Sequence, residues 1–121
     1  MNDQNLLFEQ LKSIKDYWRD LARKSLNNDE DLIWTSKEDS IKILRKSLTT
    51  EEEKKAYQIA VNDIIEGAIH SILVMIDGGD ALAEKLSIDL IDIETNKSLS
   101  GDTALHEEFL GYLLDIEDEE H

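Results

Sequence analysis

The 121-residue sequence contains no cysteine and no proline. Without cysteine the chain cannot form a disulfide, a thiolate nucleophile or a thiolate metal site. Cysteine-free chains suit a reducing compartment, so we expect a cytoplasmic protein. The absence of proline removes the strongest helix breaker and favours a mostly helical chain.

The sequence also lacks a targeting segment and a long hydrophobic run. Its first residues, Met1-Asn2-Asp3-Gln4, contain no basic region followed by an apolar stretch, so no signal peptide is expected. The longest apolar stretch, residues 68–76, is interrupted by His70 and Ser71 and is too short to span a bilayer. The length and the 40% apolar content predict one helical domain over residues 1–121.

Basic residues are scarce in the second half of the chain. The whole sequence has 13 basic and 28 acidic side chains, for a net charge of −15. Residues 1–60 carry 11 basic and 12 acidic side chains, whereas residues 61–121 carry 2 and 16. Such a field repels nucleic acid and anionic lipid and attracts basic proteins. We therefore expect a basic protein partner, with solubility alone as the alternative explanation of the charge.

One long helix is predicted over residues 49–79, and the other segments are expected to pack around it. It begins with two overlapping capping boxes, Thr49-x-x-Glu52 and Thr50-x-x-Glu53, and ends at Gly78-Gly79. Gly67 lies inside this helix, where glycine is unfavourable, so we expect another element to approach closely there. Its apolar residues recur at helical spacing: Tyr57, Ala60, Val61, Ile64, Ala68, Ile72 and Met75.

Three further helices and a hairpin complete the predicted fold, which is mostly α with a small β-component (α+β). The first helix covers residues 5–24, and Thr35-x-x-Glu38 is predicted to cap a short second helix. Trp34 is interpreted as a core anchor, with a partner-binding role as the alternative. Asp80 can cap a short helical turn, and the near-alternating residues 87–100 indicate a β-hairpin.

The last helix is expected to start at Asp102 or Thr103 as its cap. Its end is rich in acidic side chains, which are unfavourable near the negative end of a helix dipole. We therefore predict that residues 116–121 form a frayed acidic tail.

The strongest functional candidate is an acidic surface formed by the hairpin and the start of the last helix. Its carboxylates have almost no compensating cations nearby in the sequence, and such a surface can attract a basic enzyme. The predicted partner-binding residues are Asp89, Asp92, Glu94, Asp102, Glu107 and Glu108. A solvated acidic face without a partner is the alternative.

A second candidate is a metal site that uses Glu66, His70 and His106. Glu66 and His70 are four residues apart on the long helix, so their side chains can touch. Di-iron helical bundles use Glu-x-x-His in two copies, whereas this chain has a single pair with a longer spacing. No nucleophile elbow, phosphate-binding loop or dinucleotide fingerprint is present. We therefore predict no enzymatic activity and no cofactor, and a homodimer built on the first helix is a third interpretation.

Two segments carry a resemblance to a known group of proteins. Residues 66–73, Glu-Gly-Ala-Ile-His-Ser-Ile-Leu, and residues 104–111, Ala-Leu-His-Glu-Glu-Phe-Leu-Gly, resemble small bacterial proteins of the immunity-protein type. Such proteins are often encoded next to secreted polymorphic toxins and act by binding the cognate toxin. The resemblance implies a compact acidic inhibitor and covers less than half of the chain.

Overall fold

The computed structural model describes residues 3–120, and the side chains of residues 3–118. It confirms a mostly α fold with a small two-stranded sheet. Four α-helices, a short 3₁₀ helix and one antiparallel hairpin follow in the order α1 (Asp3–Lys24), α2 (Glu38–Ser47), α3 (Glu51–Ile76), the 3₁₀ helix (Ala81–Glu84), β1 (Ile91–Asp92), β2 (Lys97–Ser98) and α4 (Leu105–Glu120).

Helix α3 begins at one of the two predicted capping boxes, Thr50-x-x-Glu53, and ends at the predicted glycines. The predicted Thr49-x-x-Glu52 box is wrong, because the Thr49 amide donates to Glu53 instead. At its start the Thr50 hydroxyl accepts the Glu53 amide at 3.1 Å, and the Glu53 carboxylate accepts the Thr50 amide at 2.9 Å. At its end the Gly79 amide donates to the Val74 carbonyl at 2.8 Å, and Gly78 has a positive φ of 78°. The predicted range 49–79 therefore includes the caps, and the helix itself is Glu51–Ile76.

The predicted cap of α2 is wrong. The helix begins at Glu38 after Lys37, which makes no side-chain capping hydrogen bond. The Thr35 hydroxyl instead accepts the Lys37 amide at 3.0 Å. Threonine hydroxyls compete in this way for a nearby amide, and the local turn replaces the predicted capping box.

The predicted cap of α4 is also wrong. The Thr103 hydroxyl donates to the Ser100 carbonyl at 2.7 Å, so it stabilises the turn before the helix. The carboxylate of Asp77, 29 residues earlier, accepts the His106 amide at 2.9 Å. At its other end α4 continues to Glu120, through most of the segment expected to fray. His121 lies outside the described residues.

The chain divides into two compact units. The first, here called the acidic unit, comprises Met1–Ser13 and Glu66–His121, and the second, the neutral unit, is Ile14–Ile65. The acidic unit has 17 acidic and 3 basic side chains, a net charge of −14. The neutral unit has 11 and 10, a net charge of −1. The predicted segregation of charge therefore coincides with a division of the fold.

Aromatic residues build the core of the acidic unit. The buried ring of Phe8 on α1 lies 5.3 Å from the ring of Phe109 and 5.7 Å from that of Tyr112, both on α4. Leu105, which is fully buried, packs at the start of the same helix. Burial of such side chains is the main favourable term in folding, so this cluster fixes the N-terminal part of α1 against α4.

The hairpin is shorter than the predicted 87–100 segment, because its strands are two residues each. Ile91 pairs with Ser98, and the chain turns through Asn96, which has a positive φ of 61°. The Gln4 amide group donates to the Leu99 carbonyl at 3.1 Å, which connects the start of α1 to the hairpin. A lone hairpin is marginal in water, and this contact provides part of its support.

Polar contacts are prominent in the neutral unit. The ammonium group of Lys15 is buried and donates to Asp16 and to Asn62, both at 2.8 Å. Trp34, expected in the core, remains 37% exposed, while its indole N–H donates to the Ser25 hydroxyl at 3.1 Å. It is therefore a half-exposed ring anchored by a hydrogen bond.

Helix α3 keeps an open apolar side. Apart from its chain neighbours and the backbone of its own helix, nothing among the described residues comes within 4 Å of the position that a Cβ on Gly67 would occupy, so the expected close approach is not made within residues 3–120. Over residues 3–120, one helical segment, Glu51–Glu84, is long and apolar enough to cross a membrane. The sequence predicts no such segment. Core helices of soluble proteins meet the same criterion, so length and composition alone do not assign this helix to a membrane.

Candidate functional site

The hairpin acids are hydrogen-bonded within their own turns. Asp89 accepts the Leu90 amide at 2.8 Å and the Ser98 hydroxyl at 2.9 Å. Asp92 is half-buried and accepts the Glu94 amide at 2.9 Å. These bonds are typical of aspartates that stabilise turns. Two of the six predicted partner-binding carboxylates therefore support the hairpin, while Glu94 itself is exposed.

The acids at the start of α4 are exposed. Glu107 and Glu108 lie in the first turn of the helix, where negative charge interacts favourably with the helix dipole. The Glu107 side chain is 77% exposed. Asp102 is also exposed and lies in the turn that precedes α4. These side chains are accessible to a partner without any rearrangement of the fold.

Glu107 and Glu108 line a cavity between the first turns of α1 and the face of α4. Its volume is about 640 Å³, and none of the residues that line it is basic. Asp115 supplies a third carboxylate, Phe8 and Tyr112 supply aromatic surface, and the remaining lining residues are Gln4, Asn5, Gly111 and Ile116. We call this cavity the α4 groove.

Helix geometry explains why three carboxylates reach the α4 groove. Glu107, Gly111 and Asp115 are four residues apart, and Glu108 and Asp115 are seven apart, so all four positions share one side of α4. Nothing lies within 4 Å of the position of a Cβ on Gly111, so this glycine leaves the middle of the groove open. The sequence prediction missed Asp115, although its helical spacing from Glu107 and Glu108 was a usable signal.

The six predicted residues are therefore only partly brought together. Glu107 and Glu108 share the α4 groove, whereas Asp89, Asp92, Glu94 and Asp102 are not among the residues that line it. The groove has the chemistry to receive a cation: carboxylates attract a lysine or arginine side chain, and an aromatic ring can contact its alkyl part or its charge.

A separate cluster of ionisable side chains links α3 to α4. The Asp77 carboxylate, 8% exposed, accepts both the backbone amide of His106 at 2.9 Å and its ring nitrogen Nδ1 at 2.6 Å. Burial raises the pKa of Asp77, but the hydrogen bonds from His106 and from the Leu105 amide, together with the charge of His106, outweigh it, so the net shift of the pKa is downward. The ring of His70 lies 5.3 Å from that of His106. The sequence analysis did not identify Asp77 in this role.

The predicted metal set of Glu66, His70 and His106 is not assembled as a three-residue site. Among residues 3–120, no group of three or more histidine, aspartate or glutamate side chains is arranged to hold a metal ion. The rings of His70 and His106 do come together, as the sequence suggested.

Two cations of α2 make local contacts. The guanidinium of Arg45 donates to the carbonyls of Ser25 at 2.8 Å and Glu30 at 3.1 Å, and Lys42 lies 3.9 Å from Glu38. Arg45 therefore holds the loop after α1 in place.

Comparison with known proteins provides no assignment: no protein-family model matches the chain, and no curated protein and no solved structure does so either.

Proposed function

We propose that this chain is a protein-binding module, an immunity-type inhibitor that presents the α4 groove to a basic partner. The observation that carries the proposal is the group of three carboxylates in a cavity that no basic side chain lines. The acidic unit has a net charge of −14, so its field steers a cationic partner toward this side of the chain.

The groove defines what such a partner must bring. A lysine or arginine side chain can place its charge near Glu107, Glu108 and Asp115 while its methylene groups lie against Tyr112. If the partner is a nuclease, these carboxylates would occupy the positions of substrate phosphates in its basic cleft. The partner-binding set is therefore centred on Glu107, Glu108 and Asp115, with Glu94 and Asp102 as exposed acids outside the groove.

A pair of matched double substitutions tests the proposal. Glu107→Lys/Glu108→Lys reverses two acids in the first turn of α4, and Glu38→Lys/Asp39→Lys makes the same charge change in the first turn of α2. With a partner isolated on the wild-type chain, the α4 variant should associate at least about tenfold more slowly and with a weaker salt dependence. The α2 variant should stay within about twofold of wild type, because the neutral unit does not contain the groove.

A substitution that fills the α4 groove tests the contribution of its shape to binding separately from the contribution of its charge. Gly111→Gln places a neutral side chain in open space, and replacing an interior helical glycine does not weaken the helix. We expect faster dissociation of the complex with little change in its association rate, because the field remains. Equal binding by the wild type, the α4 double variant and Gly111→Gln would refute the groove as the binding site.

A further inference from the structure

We propose that His70 and His106 bind one transition-metal ion of the Zn²⁺ class between them, with Asp77 as the residue that orients His106. The site belongs to the acidic unit and joins α3 to α4, and its two histidine ligands lie outside the proposed partner-binding set. It needs two protein ligands, with water molecules completing the coordination.

The spacing of the two rings fits a shared ion. Their centroids are 5.3 Å apart and their planes are inclined by 86°. When two imidazoles bind one tetrahedral ion through nitrogens about 2.0–2.1 Å from it, their ring centroids are about 5.2 Å apart. The two histidines therefore already have the separation that joint coordination requires. His70 is exposed, so an ion can reach the pair from solvent.

Asp77 gives His106 the environment of a metal ligand. Its carboxylate accepts from Nδ1 at 2.6 Å, which places the ring proton on Nδ1 and leaves the lone pair on Nε2. A second hydrogen bond, from the His106 amide, holds the same carboxylate at the start of α4. Metal-ligating histidines commonly donate their other ring N–H to a carboxylate, which fixes the ring and makes the coordinating nitrogen more basic.

One carboxylate lies close to the pair. The Glu107 carboxylate is 4.0 Å from Nε2 of His106, and its side chain is 77% exposed. The ligand chemistry selects the ion, because imidazole suits Zn²⁺, Ni²⁺ and Cu²⁺, whereas Mg²⁺ and Ca²⁺ require mostly oxygen ligands.

Calorimetric titration of tag-free, EDTA-treated protein with ZnCl₂ tests the site. We expect one saturable ion per chain and affinity at least about tenfold weaker in both His70→Ala and His106→Ala. His121→Ala removes the third histidine of the chain and serves as the matched control, with affinity unchanged. His70→Ala is the more informative variant, because an exposed side chain can be removed without disturbing the contact between Asp77 and His106.

Two further measurements complete the test. Asp77→Asn should weaken zinc binding by about 10- to 100-fold, the usual effect of losing a partner of a ligating histidine. Zinc should also shift the ring resonances of two histidines, and MgCl₂ should not. The proposal is overturned if no saturable zinc binding is found up to millimolar concentration. It is equally overturned if binding survives in a His70→Ala/His106→Ala variant, because the carboxylates of the acidic unit would then be the ligands.

Discussion

The neutral and acidic units differ in their supply of cations, with 10 and 3 basic side chains respectively. In the neutral unit Asp16 accepts from Lys15 at 2.8 Å and from Arg19 at 3.1 Å, and Arg23 pairs with Glu51. In the acidic unit amides and hydroxyls serve several carboxylates, as Asp80 accepts the Leu82 amide at 3.0 Å and Asp89 the Ser98 hydroxyl at 2.9 Å.

We therefore distinguish structural acids, whose carboxylates accept hydrogen bonds that stabilise the fold, from surplus acids, whose side chains remain exposed. Where cations are scarce, an aspartate next to a turn or a helix end still finds a backbone donor, and it then stabilises the fold locally. Glu107 and Glu108, in the first turn of α4, remain exposed. Exposed negative charge therefore accumulates on α4.

The largest effect is expected from the core of the acidic unit. Phe109→Ala removes a ring that is buried against Phe8 and should lower the free energy of unfolding by about 3–5 kcal/mol. In the neutral unit Ile33 is 87% exposed, and Ile33→Ala should change the free energy by no more than about 0.5 kcal/mol. Urea denaturation of both variants provides the measurement. A similar loss for the two would show that burial does not distinguish these positions.

An intermediate effect is expected at Asp77, whose carboxylate accepts hydrogen bonds from His106. Asp77→Asn removes the charge that accepts two hydrogen bonds from His106 and should cost about 1–3 kcal/mol near neutral pH. Glu107→Gln, a surplus acid on the other side of the same imidazole, should cost no more than about 0.5 kcal/mol. EDTA in every sample keeps metal binding out of the comparison. Equal losses would contradict the division into structural and surplus carboxylates.

Local sequence signals predicted the elements well. The spacing of apolar residues located α1 and α3, and the Thr50–Glu53 box and the paired glycines marked the ends of α3, because these signals act within a few residues. The near-alternating pattern located the hairpin, although its ladder is only two residues long on each strand.

Long-range contacts could not be predicted in the same way. Asp77 replaces the expected caps of α4 from 29 residues away, and no local pattern encodes that contact. The capping box predicted at Thr35 does not form, because the Thr35 hydroxyl accepts the Lys37 amide in a local turn instead. For the candidate site, the sequence could not show which of the acids line a common cavity, because that depends on how α1 meets α4.

The smallest effect is expected at the capping box of α3, in the neutral unit. Thr50→Ala removes the hydroxyl that accepts the Glu53 amide and should lower the free energy of unfolding by about 1 kcal/mol. Thr49→Ala is the matched control and should have a smaller effect, because the main bond from Thr49 to Glu53 uses its backbone amide. Chemical denaturation at neutral pH compares the two variants.

The same box should be sensitive to acid. Hydrogen bonds from the Thr50 amide, then from the Thr50 hydroxyl and the Thr49 amide, hold the pKa of Glu53 below its ordinary value. A lowered pKa in the folded state means that the stabilisation is complete above the ordinary value and disappears as pH falls through the native one. Glu53→Gln should therefore have a lower melting temperature than wild type at neutral pH, with the difference shrinking below about pH 4. A difference that is independent of pH would show that the charge of Glu53 does not contribute to the cap.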